Sequence, residues 1–283
     1  EAGTQYNVLH GYTSELDSTL FYGNITPVNK DRKLAITINT YGEDVESVGY
    51  KIRSLEDKSL IENTEVSGYQ VTDNKINVTL NIKNLLDTGK EYALEVVLKT
   101  KKHDAVYYYT RIMYGTDYDL QKKLDFVRDF NACTFDSARL KDIGGYLETS
   151  SVGDNTNYGK VNINCSLSQI GWGDLEPYIE SEITPEIISI NDDVAIIRLD
   201  YRVGAANDYS SSDTYNVNEY YRIRQTNSGF YLLNFEREMN QVFDAKNDLT
   251  SSAKINLGIN SSTYVNCTSD EKGIYTYFVN QGS

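Results

Sequence analysis

Between residues 34 and 114, apolar and polar residues alternate with a period of two. In LAITINTY, Leu34, Ile36 and Ile38 alternate with Ala35, Thr37 and Asn39. In KINVTLNI, Ile76, Val78, Leu80 and Ile82 share one face, opposite Asn77, Thr79 and Asn81. Further on, Tyr92, Leu94, Val96 and Leu98 alternate with Glu95 and Lys99. The turn signals YGED, LEDK, TDNK and KKHD separate these runs. Successive strand residues point to opposite faces, so this pattern predicts an antiparallel sandwich with one wet face per sheet.

The period changes at residue 116. TDYDLQKKLDFVRDFN places Leu120, Leu124, Val127 and Phe130 on one helical stripe, with Thr116 and Asp119 spaced like a capping box. A second helix is expected with Leu140, Ile143 and Leu147 inward and Asp136 near its start. Gly144 and Gly145 weaken it, each by about 1 kcal/mol relative to alanine. The polar loop TSSVGDNTNYG then leads back into strands. In VAIIRLDYRV, Ala195, Ile197, Leu199, Tyr201 and Val203 face one way and Arg198, Asp200 and Arg202 the other. Tyr221 and Ile223 continue a long strand, which Ser228–Gly229 turns into FYLLNFEREM. Helices followed by long antiparallel strands predict an α+β region with a curved sheet wrapped on helices. Three regions result: 1–115, 116–249, and a further β-rich region entered at 250–283.

With 41 acidic against 27 basic residues, the formal net charge is −14. Such a chain has no counterion-release drive toward phosphate backbones, so nucleic acid is not an expected partner. No stretch is apolar for long enough to span a bilayer. The opening EAGTQYNVLHGYT and the closing GIYTYFVNQGS lead to the expectation of a fragment of a longer protein, cut at both ends. Cys133, Cys165 and Cys267 are widely spaced, without CxxC or Cys/His metal spacing, and are read as small buried residues.

Catalytic constellations are hard to assemble from these residues. Only His10 and His103 are present, and His103 lies in the KKHD turn. GxSxG, HExxH and P-loop patterns do not occur. DNTNYG imitates the front of a calcium loop, but Tyr158 takes a ligand position and Cys165 stands where a bidentate glutamate belongs. Asp192 and Asp193 are read as hairpin residues, and Glu236 and Glu238, flanking Arg237, as an exposed ion pair. No catalytic residue, metal or cofactor is therefore expected.

Trp172, the single tryptophan, stands between two glycines and is followed by Asp174. It is read first as a core anchor and second as a stacking platform. In VYYYTRIM, strand alternation sends Tyr108 to one face with Val106, Thr110 and Ile112, and Tyr107 and Tyr109 to the other with Arg111 and Met113. The 24 tyrosines are accordingly read as sheet covering. If the second region encloses a pocket, Trp172, Asp174, Tyr201, Tyr220 and Tyr221 are its candidate ligand-binding residues.

NLLDTGKEYALEVVL, with Leu86, Gly89 and Tyr92, resembles the tyrosine corner of fibronectin type III and immunoglobulin-like sandwiches. By element order alone, the second region is similar to the NTF2-like cone. LHGYT, the ITP at 25–27, YGEDVESVGYKIRSLEDKSLIENTEV, WGDL, NEYYRIR and SDEKGIYTYFVNQGS together resemble an uncharacterised group of clostridial (Firmicutes) envelope proteins. In that group a membrane anchor precedes the LHGYT stretch, and a propeller-like part follows the last strand. The resemblance implies an extracytoplasmic place at the cell envelope, with the membrane reached only through a segment outside this chain. It brings no activity. The expectation is thus a mainly β chain: an immunoglobulin-like sandwich, then an NTF2-like α+β domain. It would act as a non-catalytic scaffold or binder of a protein or cell-envelope component. The alternatives are a small-molecule or glycan pocket in the second region, and an enzyme built on the cone.

Overall fold

The computed structural model describes residues 5–72, 74–115, 118–206 and 212–242, and the backbone of four short strands between 250 and 278. Thr116 of the expected capping box, the side chain of Cys267 and most of region 250–283 lie outside the described residues. The chain is mainly β and divides into two compact units. The first comprises Glu1–Lys123 with Glu186–Ile196, the second Leu124–Pro185 with Ile197–Ser283. This differs from a cut after residue 115. Part of the reason is Lys123, which is fully buried and donates from Nζ to the carbonyls of Asn191 at 2.6 Å and Asp192 at 2.8 Å.

In the first unit, β1 (Ile25–Val28), β2 (Lys33–Asn39), β3 (Val45–Ser54) and β4 (Leu60–Val66) are followed by β5 (Gln70–Thr72), β6 (Lys75–Asn81), β7 (Glu91–Thr100) and β8 (Val106–Tyr114). They form a five-stranded sheet in the order β1-β8-β7-β3-β4 and a three-stranded sheet in the order β2-β6-β5. β1 runs parallel to β8, and the other pairings are antiparallel. One core joins the two sheets. Leu34, Ile38, Ile76, Val78, Leu80 and Ile82 meet Val48, Tyr50, Ile52, Leu94, Val96, Leu98 and Ile112 there. The period-two reading therefore predicts the core: the apolar set of each run is the inward set. Tyr92, 3% exposed, accepts a bond at its hydroxyl from the Asp87 amide at 2.9 Å, which fixes the turn before β7.

The tyrosine run divides as alternation requires. Tyr108 packs against the shared core with Val106, while Tyr107 and Tyr109 stack on the opposite face with ring centroids 6.5 Å apart. An N-terminal strap covers that face. Phe21 stacks on Tyr109 at 4.4 Å, Tyr12 bridges Tyr107 through both backbone bonds, and the Leu16 amide donates to the Tyr109 hydroxyl at 2.8 Å. Lys51 Nζ lies 2.8 Å from both Glu15 on the strap and Glu95 on β7.

α1 (Leu120–Thr134) buries Leu124, Val127 and Phe130, as its stripe predicts. Fully burying each such side chain is worth about 1.5–3 kcal/mol. The expected second helix is instead a 3-10 helix, Leu140–Tyr146. Its three-residue turn keeps Leu140 and Ile143 in line, so only Ile143 is fully buried and Leu147 falls beyond the end. β9 (Lys160–Asn162), α2 (Leu167–Ile170), β10 (Tyr178–Ile179), β11 (Thr184–Ile190), β12 (Val194–Ala206), β13 (Ser212–Thr226) and β14 (Gly229–Gln241) follow. They make a sheet in the order β10-β12-β13-β14-β9, with β11 beside β12. Asn191 caps the β11–β12 turn by accepting from the Asp193 and Val194 amides, so Asp192 and Asp193 are hairpin residues as read. Phe130 of α1 lies 5.6 Å from Tyr221 and 5.5 Å from Phe235, which places the helix on the β13–β14 face.

Candidate functional site

The long hairpin of the second unit sets two charged residues against each other. β13 and β14 pair antiparallel with Glu219 directly opposite Arg237. Along β13, Val217, Glu219, Tyr221 and Ile223 point inward. Along β14, Phe235, Arg237 and Met239 do. Both charged side chains are 0% exposed. Arg237 is therefore not part of an exposed pair with its neighbours in sequence. Those neighbours, Glu236 and Glu238, lie on the other face, where Lys160 Nζ is 4.0 and 3.5 Å away. Phe235, Arg237 and Met239 stand at odd sequence offsets from the glutamates, so the pleat sends the two sets to opposite faces.

Around the pair the sequence builds a polar and aromatic coat. Glu219 Oε2 accepts from the Tyr221 hydroxyl at 2.6 Å and from Asn131 Nδ2 at 2.8 Å. Asn131 Nδ2 also lies 3.2 Å from the Tyr201 hydroxyl. Arg237 donates from Nη1 to the Ile170 carbonyl at 2.9 Å and from Nη2 to the Gln169 carbonyl at 3.1 Å. Those carbonyls are at the C-terminal end of α2, where unsatisfied acceptors and the negative end of the helix both favour a cation. The direct contact between the two charges, Arg237 Nη1 to Glu219 Oε1, is 3.8 Å. At that length it is an ion pair and not a hydrogen bond.

Trp172 closes the other side. Its ring centroid lies 3.4 Å from the Arg237 guanidinium carbon, and Phe135 packs 5.2 Å away. Its indole nitrogen donates to Thr134 Oγ1 at 3.3 Å, and that hydroxyl donates to the Asn131 carbonyl at 2.8 Å. Trp172 has φ 67° and Gly173 φ 51°, two consecutive left-handed residues. A bulky side chain in that region costs about 1–3 kcal/mol unless its surroundings hold it. A Cβ at Gly173 would collide with the Tyr158 hydroxyl, and one at Gly171 with Leu140. The two glycines therefore admit neighbouring side chains of the same unit.

Burial dominates the electrostatics. It pushes the Tyr201 and Tyr221 hydroxyls well above the ordinary phenol range, and the Glu219 charge raises both further. It pulls Arg237 below the usual guanidinium value, against the opposing pull of Glu219.

Of the five residues singled out in the sequence, three converge here. Trp172, Tyr201 and Tyr221 are 1%, 4% and 0% exposed. Tyr220 points to the opposite face, across from Glu236. Asp174 is exposed and accepts from the Tyr158 hydroxyl at 3.0 Å. The face of the indole, proposed as a stacking platform, is occupied by Arg237. Glu219 and Arg237 themselves escape a motif search, although the period-two pattern of VNEYYRI and FEREM places both on the inward face. Among the described residues no group of three or more His, Cys, Asp or Glu is arranged to hold a metal. Cys133 and Cys165 are buried free thiols. No protein-family model matches the sequence, and no curated protein is significantly similar to it.

Proposed function

We propose that this chain is a non-catalytic scaffold or partner-binding part of an extracytoplasmic envelope protein. An immunoglobulin-like first unit would be followed by an NTF2-like second. The strand order β1-β8-β7-β3-β4 over β2-β6-β5 and the Tyr92 bond to Asp87 support the first assignment. A helix laid on a long antiparallel hairpin supports the second. One observation carries the functional reading. Where ionisable side chains converge, at Glu219 and Arg237, they are sealed from solvent and engaged with one another. A general acid, base or nucleophile must reach the proton or carbon it acts on, and these groups face only their own unit.

The experiment is a screen of the purified protein against broad glycosidase, esterase, peptidase and phosphatase substrates. The expected result is no turnover above a heat-inactivated control. Turnover abolished by one point substitution refutes the reading.

A second reading, a small-molecule site inside the second unit, has one observation in its favour. Glu219 Oε1 and Arg237 Nε are buried polar atoms without a hydrogen bond. Trp172 is the only tryptophan and lies against Arg237, so its fluorescence is a direct reporter. Saturable quenching by a metabolite or oligosaccharide supports this reading, and indifference to the panel counts against it.

A further inference from the structure

β13 and β14 have a second face, turned away from the Glu219 cluster, and it carries arginine. Strand alternation puts Arg222 and Arg224 on the outer side of β13, while Arg198 and Arg202 take the outer side of the neighbouring β12. Arg202, Arg222 and Arg224 are exposed. Across the hairpin, Arg222 sits opposite Asn234 and Arg224 opposite Tyr231. Tyr231 is 48% exposed, and the Arg224 guanidinium lies 5.5 Å from its ring centroid. The acids of this face are already engaged, Glu236 accepting from Asn234 Nδ2 at 3.1 Å beside Arg222. Asp200 is paired with Arg198 at 2.9 Å, and Glu236 and Glu238 flank Lys160.

The chain has ten arginines. Most are committed: Arg111 to Glu91, Arg139 to Asp129, Arg198 to Asp200, Arg237 to Glu219, Arg32 to Asn84, and Arg53 to the Lys58 carbonyl. Arg202, Arg222 and Arg224 share one sheet face, and their guanidinium groups make no hydrogen bond or ion pair among the described residues. In a chain of net charge −14, carboxylate partners are plentiful, so the neighbouring Arg222 and Arg224 guanidinium groups, left without them, form the local exception.

Resting on the partner-binding reading above, we propose that the Arg222–Arg224 end of this face docks an acidic polypeptide segment of a partner protein. Residues two apart on a strand present their side chains about 7 Å apart, a spacing that an extended acidic segment reproduces with its own alternate carboxylates. Guanidinium groups bind carboxylates through paired N–H donors. Chemistry on this face favours a peptide over a sugar. The exposed ring beside the pair, Tyr231, already has a guanidinium over it, whereas sugar stacking needs that ring face free. The overall negative charge repels such a partner at long range. At physiological ionic strength the screening length is about 8 Å, and the local guanidinium groups then govern docking.

The test titrates the full chain with octaglutamate at physiological ionic strength, following amide chemical shifts and calorimetric heat. Wild type is compared with the R222E/R224E double variant and with K99E/K141E, which changes net charge equally at exposed sites elsewhere. The expected result is saturable binding that R222E/R224E weakens by roughly tenfold or more, while K99E/K141E stays near wild type. Absence of saturable binding by the wild type overturns the proposal. So does equal weakening by both variants, which would make the effect one of net charge. Tighter, Arg222-dependent binding of polygalacturonate than of octaglutamate also overturns it, in favour of an acidic glycan. Failure here leaves the substrate screen untouched, and turnover in that screen leaves this titration untouched.

Discussion

The first unit buries Glu62 and Glu95 and the second Glu219, and Glu62 and Glu219 solve the same problem differently. In the first, Glu62 is 3% exposed and, among the described residues, meets neutral donors. Its Oε1 accepts from the Tyr50 hydroxyl at 2.6 Å and Thr64 Oγ1 at 2.9 Å, and its Oε2 from the Lys83 amide at 3.0 Å. In the second, Glu219 meets a guanidinium, and hydrogen bonds reach only one of its oxygens. Neutral donors distributed over both oxygens leave no opposite charge to desolvate. A buried cation adds attraction but must itself be coated, here by Trp172 and two helix-end carbonyls. The first unit could lose one donor and keep the others. In the second, loss of either charge strands the other, the situation in which buried pairs are most costly to break.

The largest expected effect tests that asymmetry. R237M should destabilise the second unit by about 3–5 kcal/mol, because Glu219 is left charged and unpaired in the interior. Denaturant unfolding followed by Trp172 emission measures it. Adding E219L to R237M should recover most of the loss, since an apolar pair of similar volume avoids both desolvation penalties. If the double variant is no more stable than R237M, the charge argument is wrong.

In the first unit, I52A removes a fully buried side chain from the shared core and should cost about 2–4 kcal/mol. Hydrogen exchange should show the loss in β3 and β7 amides.

Alkaline pH sharpens the contrast from another side. The Tyr201 and Tyr221 pKa values are raised well above the unfolded value of 10.0. A raised acid is kept protonated by the fold, so its contribution is complete below pH about 10 and is lost as pH rises beyond that. Tyrosinate absorbance for these two phenols should appear together with loss of the Trp172 environment. Their titration at ordinary phenol pH in an intact fold would contradict the burial.

The smallest effects belong to the first unit's surface and corner. Y92F leaves the Asp87 amide without its acceptor and should cost about 1 kcal/mol. At the strap, the Lys58 ammonium holds the Asp17 carboxyl at a pKa of about 2. The stabilising contribution of a lowered carboxyl is present above its ordinary pKa and lost as pH falls. Acidification from pH about 4 to 2 should therefore raise exchange in residues 15–19 while the two sheets stay protected.

Much of the architecture was legible as a repeating pattern. The sets Leu34/Ile38 and Ile76/Val78/Leu80/Ile82 became the core because a strand facing one sheet must bury every second residue. Tyr92 was legible through a local turn motif, and the separation of Tyr108 from Tyr107 and Tyr109 through the pleat alone. The 3-10 form of Leu140–Tyr146 is not legible, because two glycines and a three-residue repeat favour a turn that helical periodicity does not distinguish. Arg237 is masked by its neighbours, since FEREM reads locally as a solvated charge run and only the strand period continued past Phe235 places it inward.

Alternation and turn chemistry are local, so the amino-acid sequence by itself determined which residues form strands, which face each presents, and that the chain is mainly β. The pairing of Glu219 with Arg237, the sealing of Trp172 and the grouping of Arg222 and Arg224 near Tyr231 depend on which strands become neighbours and in what register. Those are contacts between residues remote in sequence. Their energies come from desolvation and charge at fixed separations, which exist only once the hairpin has closed on its helix.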